Sequence, residues 1–197
     1  MTAQYPDHFI FNNKKYDLAA YSAQEPFNPA QIGFEPVAVS TACWRGYISE
    51  YSLNADENLI LKHFSIGLFE VTGEEWKSIR GKPINGILPT KPQEDYLDFL
   101  NNRYENVNLS LNYTGGILIA DGFVEELYIH MGFHPAWKYQ EVHELTFEEG
   151  KLMSAKDKSS DMAKLRKSLV GKDSFPDMGA EHEKIMTWIE RTFDRKY

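Results

Sequence analysis

The first chemistry this chain offers is a pair of histidines four residues apart. His130 and His134 would share one face of a helix, a spacing that suits zinc. The residue after His130 is Met131 rather than glutamate, so the metalloprotease pattern is missing, and Pro135 would end a helix there. His143, Asp121 or Glu126 could complete a three-ligand set. The plainer reading leaves both imidazoles hydrogen-bonded inside an aromatic loop, and no metal is assigned.

Cys43 could serve as a nucleophile beside a histidine. An apolar strand next to Trp44 is its expected setting, and a buried thiol is usually inert. Glu50 and Glu144 hold equivalent places in two similar hairpins. Together they could do acid–base work; the plainer readings put them on a solvated sheet face or pair them with Arg45 and Lys138. No Gly-x-Ser-x-Gly elbow, P-loop or dinucleotide fingerprint occurs. No catalytic residue and no cofactor is therefore assigned.

A stronger signal is aromatic. Met131 to Tyr139 gathers Phe133, Trp137 and Tyr139 with His134 and Lys138, and Trp44, Arg45 and Tyr47 join them if the two hairpins lie together. Aromatics with arginine mark interface hot spots and ligand pockets. These eight residues are the candidate binding set. The competing reading makes Trp44 and Trp137 simple core plugs.

The elements that must position them follow from pattern. Asn12-Asn13 between short apolar pieces predicts a hairpin over residues 8–20. Prolines 26, 29 and 36 make 21–36 a loop. Strand character begins at Val37 and runs through CWRGYISEYSL. The Asn54–Asn58 turn then returns the chain through LILKHFSIGLFEV. Thr72 and Glu75 could cap a short helix through Ile79, and Gln93 to Arg103 has helical spacing. Val107 to Tyr113 alternates as a strand. Asp121-Gly122 predicts a hairpin turn, with FVEELYIH after it read as strand rather than helix. VHELTF and KLMSA flank the turn at Glu149-Gly150.

Trp44 to Leu59 and Trp137 to Leu152 share a pattern, which an ancient duplication would explain, though convergence is the plainer reading because any half-buried hairpin alternates. The tail reads as two helices. Met162, Leu165 and Leu169 share one face of the first, which Gly171 ends; Ile185, Trp188 and Ile189 stripe the second. The expected fold is α+β and mainly β: an antiparallel sandwich or barrel of about eight to ten strands with two C-terminal helices packed on it. Residues 1–155 form the β-rich domain, and 156–197 the helical extension.

The 197 residues carry a net charge of −8, with 42% hydrophobic and 14% aromatic side chains. A core is affordable, and a general nucleic-acid binder, which needs a basic footprint, is excluded. The acidic balance would suit a basic protein partner. One cysteine fits a reducing compartment, and no leader or membrane span is evident, so a cytoplasmic protein is expected.

The segments TACWRGY (Thr41 to Tyr47) and TGGILIADGF through HMGFHPAWKY (Thr114 to Tyr139) resemble a family of uncharacterised bacterial proteins. The likeness spans about residues 34–155. It implies a bacterial origin and one β-rich unit, and it supplies no site residues. The expected function is non-enzymatic binding, for example an immunity or antitoxin-like protein masking a basic partner. A metal-dependent hydrolase using His130 and His134, or a small-ligand carrier with a barrel pocket, are the alternatives.

Overall fold

A computed structural model describes residues 2–73, 75–92, 98–169 and 182–197. The chain opens with a hairpin, β1 (Asp7–Phe11) and β2 (Lys14–Tyr21). Its turn places Asn12 and Asn13 at φ 50° and 62°, the positive values a two-residue turn demands and asparagine tolerates. β3 (Tyr47–Leu53) and β4 (Leu59–Ile66) form the second hairpin. Asn54 Oδ1 holds its loop by accepting from the amides of Asp56 and Asn58.

β5 (Phe69–Thr72) and β6 (Glu75–Ser78) make a separate two-stranded ribbon. β7 (Asn102–Tyr104) and β8 (Leu109–Ser110) both pair with β4, and β9 spans Gly115–Phe123. β10 (Tyr139–Glu148) and β11 (Lys151–Asp157) are the last strands. Among the described residues the α-helices are α1 (Ser159–Leu169) and α2 (His182–Phe193).

Nine strands join in one sheet, ordered β11-β10-β9-β2-β1-β3-β4-β7 with β8 beside β4. All of its pairings are antiparallel except β1 with β3, which run parallel. The mainly β expectation holds, but the sheet is mixed rather than purely antiparallel, and it is not a closed barrel. It curls instead. The turn after β10 reaches the β3–β4 loop, where Leu59 N donates to Gly150 O at 2.7 Å and Leu152 N to Glu57 O at 3.0 Å. Gly150 sits at φ 85°, and a Cβ there would lie 2.3 Å from the Leu111 carbonyl oxygen. Gly150→Ala should thus cost about 1–3 kcal/mol; urea unfolding would measure it, and a loss below half a kcal/mol would refute this close approach.

Each sheet face has its own core. Phe9, Tyr51, Leu61, Phe64, Tyr104, Ile117, Ile119, Leu145 and Phe147 fill the larger one. The alternate residues of β9, Leu118 and Ala120, turn to the other face, with Ala19, Ala20 and Val142, and there Met162 of α1 packs on them. Helix α1 is anchored at both ends. Lys158 N donates to Val142 O at 2.8 Å, and the Arg166 guanidinium donates to the carbonyls of Trp137 and Tyr139.

Several local readings change. Residues 37–46 are loop and turns, so Cys43 is buried in a turn rather than in a strand. Glu75–Ser78 pairs with Phe69–Thr72 instead of forming a capped helix, because Gly73 at φ 64° closes a turn. Asp121-Gly122 makes no hairpin: it lies within β9, and Asp121 is paired with Glu141. Its acidic side chain finds Lys14 2.7 Å away on a neighbouring strand, so long-range pairing overrides the turn preference. Beyond Phe123, which ends β9, FVEELYIH is neither the strand nor the α-helix weighed for it. Val124 N bonds to Lys138 O, and a 3-10 turn covers Glu125–Leu127. The helix expected over 93–103 ends as a strand, β7, and residues 93–97 lie outside the described residues. So do Gly171 and the side chains of Ile185, Trp188 and Ile189, on which the docking of α2 was expected to depend. No helix among the described residues is long and apolar enough to cross a membrane.

Candidate functional site

The site grows from a bulge. Between Leu18 and Ala20 the register of β2 against β9 slips by one residue. A bulge turns a side chain to the other face. Leu18 follows Tyr16 into the larger core by ordinary alternation, and the bulge then lets Ala19 and Ala20 both face α1. Two small side chains in succession leave room above the sheet.

That room is a cavity of about 300 Å³. Its floor is Ala19, Ala20 and Leu118; one wall is Trp137 and Pro135; α1 roofs it with Met162, Leu165 and Leu169. Arg195 and Tyr197, from the strap that follows α2, close the far end. The strap is held by backbone bonds from Tyr21 N to Arg195 O at 2.8 Å and from Phe133 N to Thr192 O at 2.6 Å. Gly132 must be glycine for this: its φ is 61°, and a Cβ would stand 2.3 Å from Thr192 O.

Beneath the strap lies a buried ion network. Arg45 makes a two-pronged pair with Asp7, Nη1 to Oδ2 at 2.7 Å and Nη2 to Oδ1 at 3.1 Å, and Nη1 also reaches Glu25 at 2.6 Å. Arg195 donates to the same Asp7 oxygen at 2.9 Å and to Glu25 at 2.8 Å. Tyr47 OH donates to Glu25 at 2.6 Å, and Ser49 N to Asp7 at 2.7 Å. Two acids and two arginines balance in charge. The ring of Phe133 faces both guanidiniums, at 4.5 Å from Arg195 and 5.4 Å from Arg45. Burial pushes the Asp7 carboxyl up, but Arg45 and Arg195 outweigh it and hold its pKa at about 2.

His134 stands beside this network. Both ring nitrogens are buried and have no hydrogen-bond partner among the described residues, and its ring lies against Phe123 and Tyr128 at 4.6 and 5.2 Å. Burial, and then Lys138, lower its pKa to about 4, so the ring is neutral near pH 7. His130 lies apart on the same loop, with its Nδ1 2.9 Å from Tyr128 OH. Neither histidine is helical, because the loop is built on the 3-10 turns Glu125–Leu127 and Ala136–Lys138. Among the described residues, no three His, Cys, Asp or Glu side chains converge as metal ligands.

The eight candidate binding residues divide. Arg45, Tyr47 and Phe133 meet at the ion network. Trp137 and Lys138 line the cavity, with the Lys138 ammonium 5.3 Å from the Trp137 ring. Tyr139 packs on Phe123 and donates to Asp17 at 3.1 Å. Trp44 is not a core plug: it is 46% exposed and stacks on Phe193 at 4.8 Å. The two tryptophans thus flank the 192–195 stretch, and their hairpins lie on opposite sides of β1, β2 and β9.

The Cys43 thiol is pushed up by burial. Glu50 is paired with Lys15 at 2.9 Å, while Glu144 is tied to Lys158 at 3.3 Å. The two carboxylates are not partners, nor do they pair with Arg45 or Lys138. Asp7, Glu25 and Arg195 were missed from sequence, although three charged residues in otherwise ordinary segments give no pattern to find. Ala19-Ala20 in a strand of larger residues was the one available hint of a cavity.

The chain matches no family model, no curated protein and no solved structure. What the site itself defines is a ligand-sized apolar cavity closed by a charge-pinned strap.

Proposed function

We propose that this protein binds a small molecule with an apolar body, without turning it over. The cavity of about 300 Å³ carries this reading. The pocket is partly open to solvent, which leaves a ligand a way in, and ligand sites begin at roughly 300 Å³. Its floor and roof are aliphatic, and most of its polar groups belong to residues 192–197, with His134 and Lys138 on the wall, which suits an apolar chain or ring with one polar end. This keeps the carrier alternative but moves it from a barrel interior to the space between sheet and helix. The hydrolase reading has less support: His134 is pressed among aromatic rings, and His130 is engaged by Tyr128.

Medium-chain carboxylates and alcohols of increasing length test it. A fitting member at a hundredfold excess over its Kd stabilises by about 2.7 kcal/mol, which should raise the melting temperature by roughly 5–11 °C. Ala20→Leu, which fills the floor, should remain folded and abolish the rise. A flat response across the series would sink the proposal.

A protein partner is the second reading, and one observation favours it. Trp76, Ile79, Ile87 and Leu88 are all exposed on the β5–β6 ribbon and the segment after it. Exposed apolar side chains of this size mark contact sites, and the net charge of −8 suits a basic partner in the cytoplasm. Leu88→Asp would abolish capture of such a partner; undiminished capture would remove the reading.

A further inference from the structure

We propose that a second, smaller cavity, walled by Phe123, Tyr128 and Tyr139 and edged by Asp17, binds an organic ammonium ion. Its volume is about 170 Å³, and Gln4, Pro6, Leu18, Phe133 and His134 complete its lining. The size is below that of a drug-like site and fits a methylated amine head.

The rings are set as a box. Tyr139 stands at 72° to Phe123 with centroids 5.2 Å apart, and Tyr128 at 87° with centroids 6.5 Å apart. Ring faces attract cations through their quadrupole, and aromatic cages are the usual way proteins hold alkylated ammonium groups. One carboxylate completes the design. Asp17 Oδ2 accepts from Tyr139 OH at 3.1 Å and its Oδ1 lies 3.2 Å from His8 Nδ1, which fixes the one-third-exposed carboxylate at the cavity edge, where a bound cation would share it.

His134 supplies what a plain aromatic box lacks. Its two ring nitrogens are buried and unpaired among the described residues, and a buried acceptor left unmade costs about 1–3 kcal/mol. An N–H of a bound ammonium would satisfy one of them. The guanidiniums over Phe133 do not compete for the charge balance, since Arg45 and Arg195 are bonded to Asp7 and Glu25. Lys138 lines the larger cavity and not this one. Half-exposed Tyr128 forms the mouth.

Apart from Phe133 and His134 this cavity uses other residues than the apolar one, and its ligand has the opposite character, so either site could fail alone. Calorimetric titration with trimethylammonium chloride, against tert-butanol as a neutral probe of similar size, tests it at constant ionic strength. The ammonium should bind at least about tenfold more tightly than the alcohol. Tyr128→Leu, at an exposed position that leaves the fold intact, should weaken it about tenfold, and Asp17→Asn should do the same. Equal binding of the alcohol, no heat from the ammonium at millimolar concentration, or unchanged binding by Tyr128→Leu would each overturn the proposal.

Discussion

Replacing Asp7 by alanine is expected to cost about 3–5 kcal/mol, the penalty for removing one member of a buried ion network. The side chain is fully buried, and two guanidiniums meet on it. Without it Arg45 and Arg195 would share Glu25 alone, leaving one positive charge uncompensated and Ser49 N without its acceptor. Urea unfolding at pH 7 measures the loss. The pH dependence gives an independent check. Asp7 has its folded pKa lowered from 3.8 to about 2, so its contribution is full above pH 4 and is lost as pH falls toward 2. The shift corresponds to about 2 kcal/mol. Asp7→Asn should lack that part of the acid loss. A variant whose stability falls with acid in parallel with the natural protein would show that Asp7 does not carry it.

Arg195→Ala should act on both stability and binding. Its side chain is 2% exposed, and it bridges Asp7 and Glu25 while its carbonyl accepts from Tyr21 N. The expected cost is about 3 kcal/mol, or roughly 6–12 °C in melting temperature for a chain of this size. The strap should loosen with it. Hydrogen exchange would then show faster exchange at the Tyr21 and Phe133 amides, and the apolar cavity would lose its far wall and its ligand-induced stabilisation. Arg195→Lys should recover little, because an ammonium cannot reproduce the fork that touches two carboxylates. Unchanged protection at those two amides would mean that the backbone bonds alone hold the strap.

How far these features could be read from sequence depends on how local they are. Asn12-Asn13, the Asn54–Asn58 loop and Glu149-Gly150 announced their hairpins because positive φ needs particular residues, and each hairpin is where it was expected. Asp121-Gly122 carried the same signature and was misread, since the pairing of β9 with both β2 and β10 overrode a local preference. The parallel pairing of β1 with β3 had no sequence signal; alternation reports which face a residue takes, not which neighbour its strand chooses. The candidate site shows the same division. The aromatic loop from Phe133 to Tyr139 stood out by composition. Arg45 stood out beside Trp44, but Asp7, Glu25 and Arg195, its partners from three distant segments, did not, because only the finished fold makes them neighbours.

The place of the β1–β2 hairpin in the sheet has a kinetic consequence. It is made early in the chain, yet it is wedged between β3 and β9, and Asp7 finds Arg195 across a separation of 188 residues. Such long-range closure is slow, in the millisecond-to-second range typical of β-rich chains. Until it completes, β3 and β9 each present an open edge onto which another unfinished copy could add. Yield on refolding should thus fall as concentration rises, with the hairpin's arrival as the step that decides between monomer and aggregate.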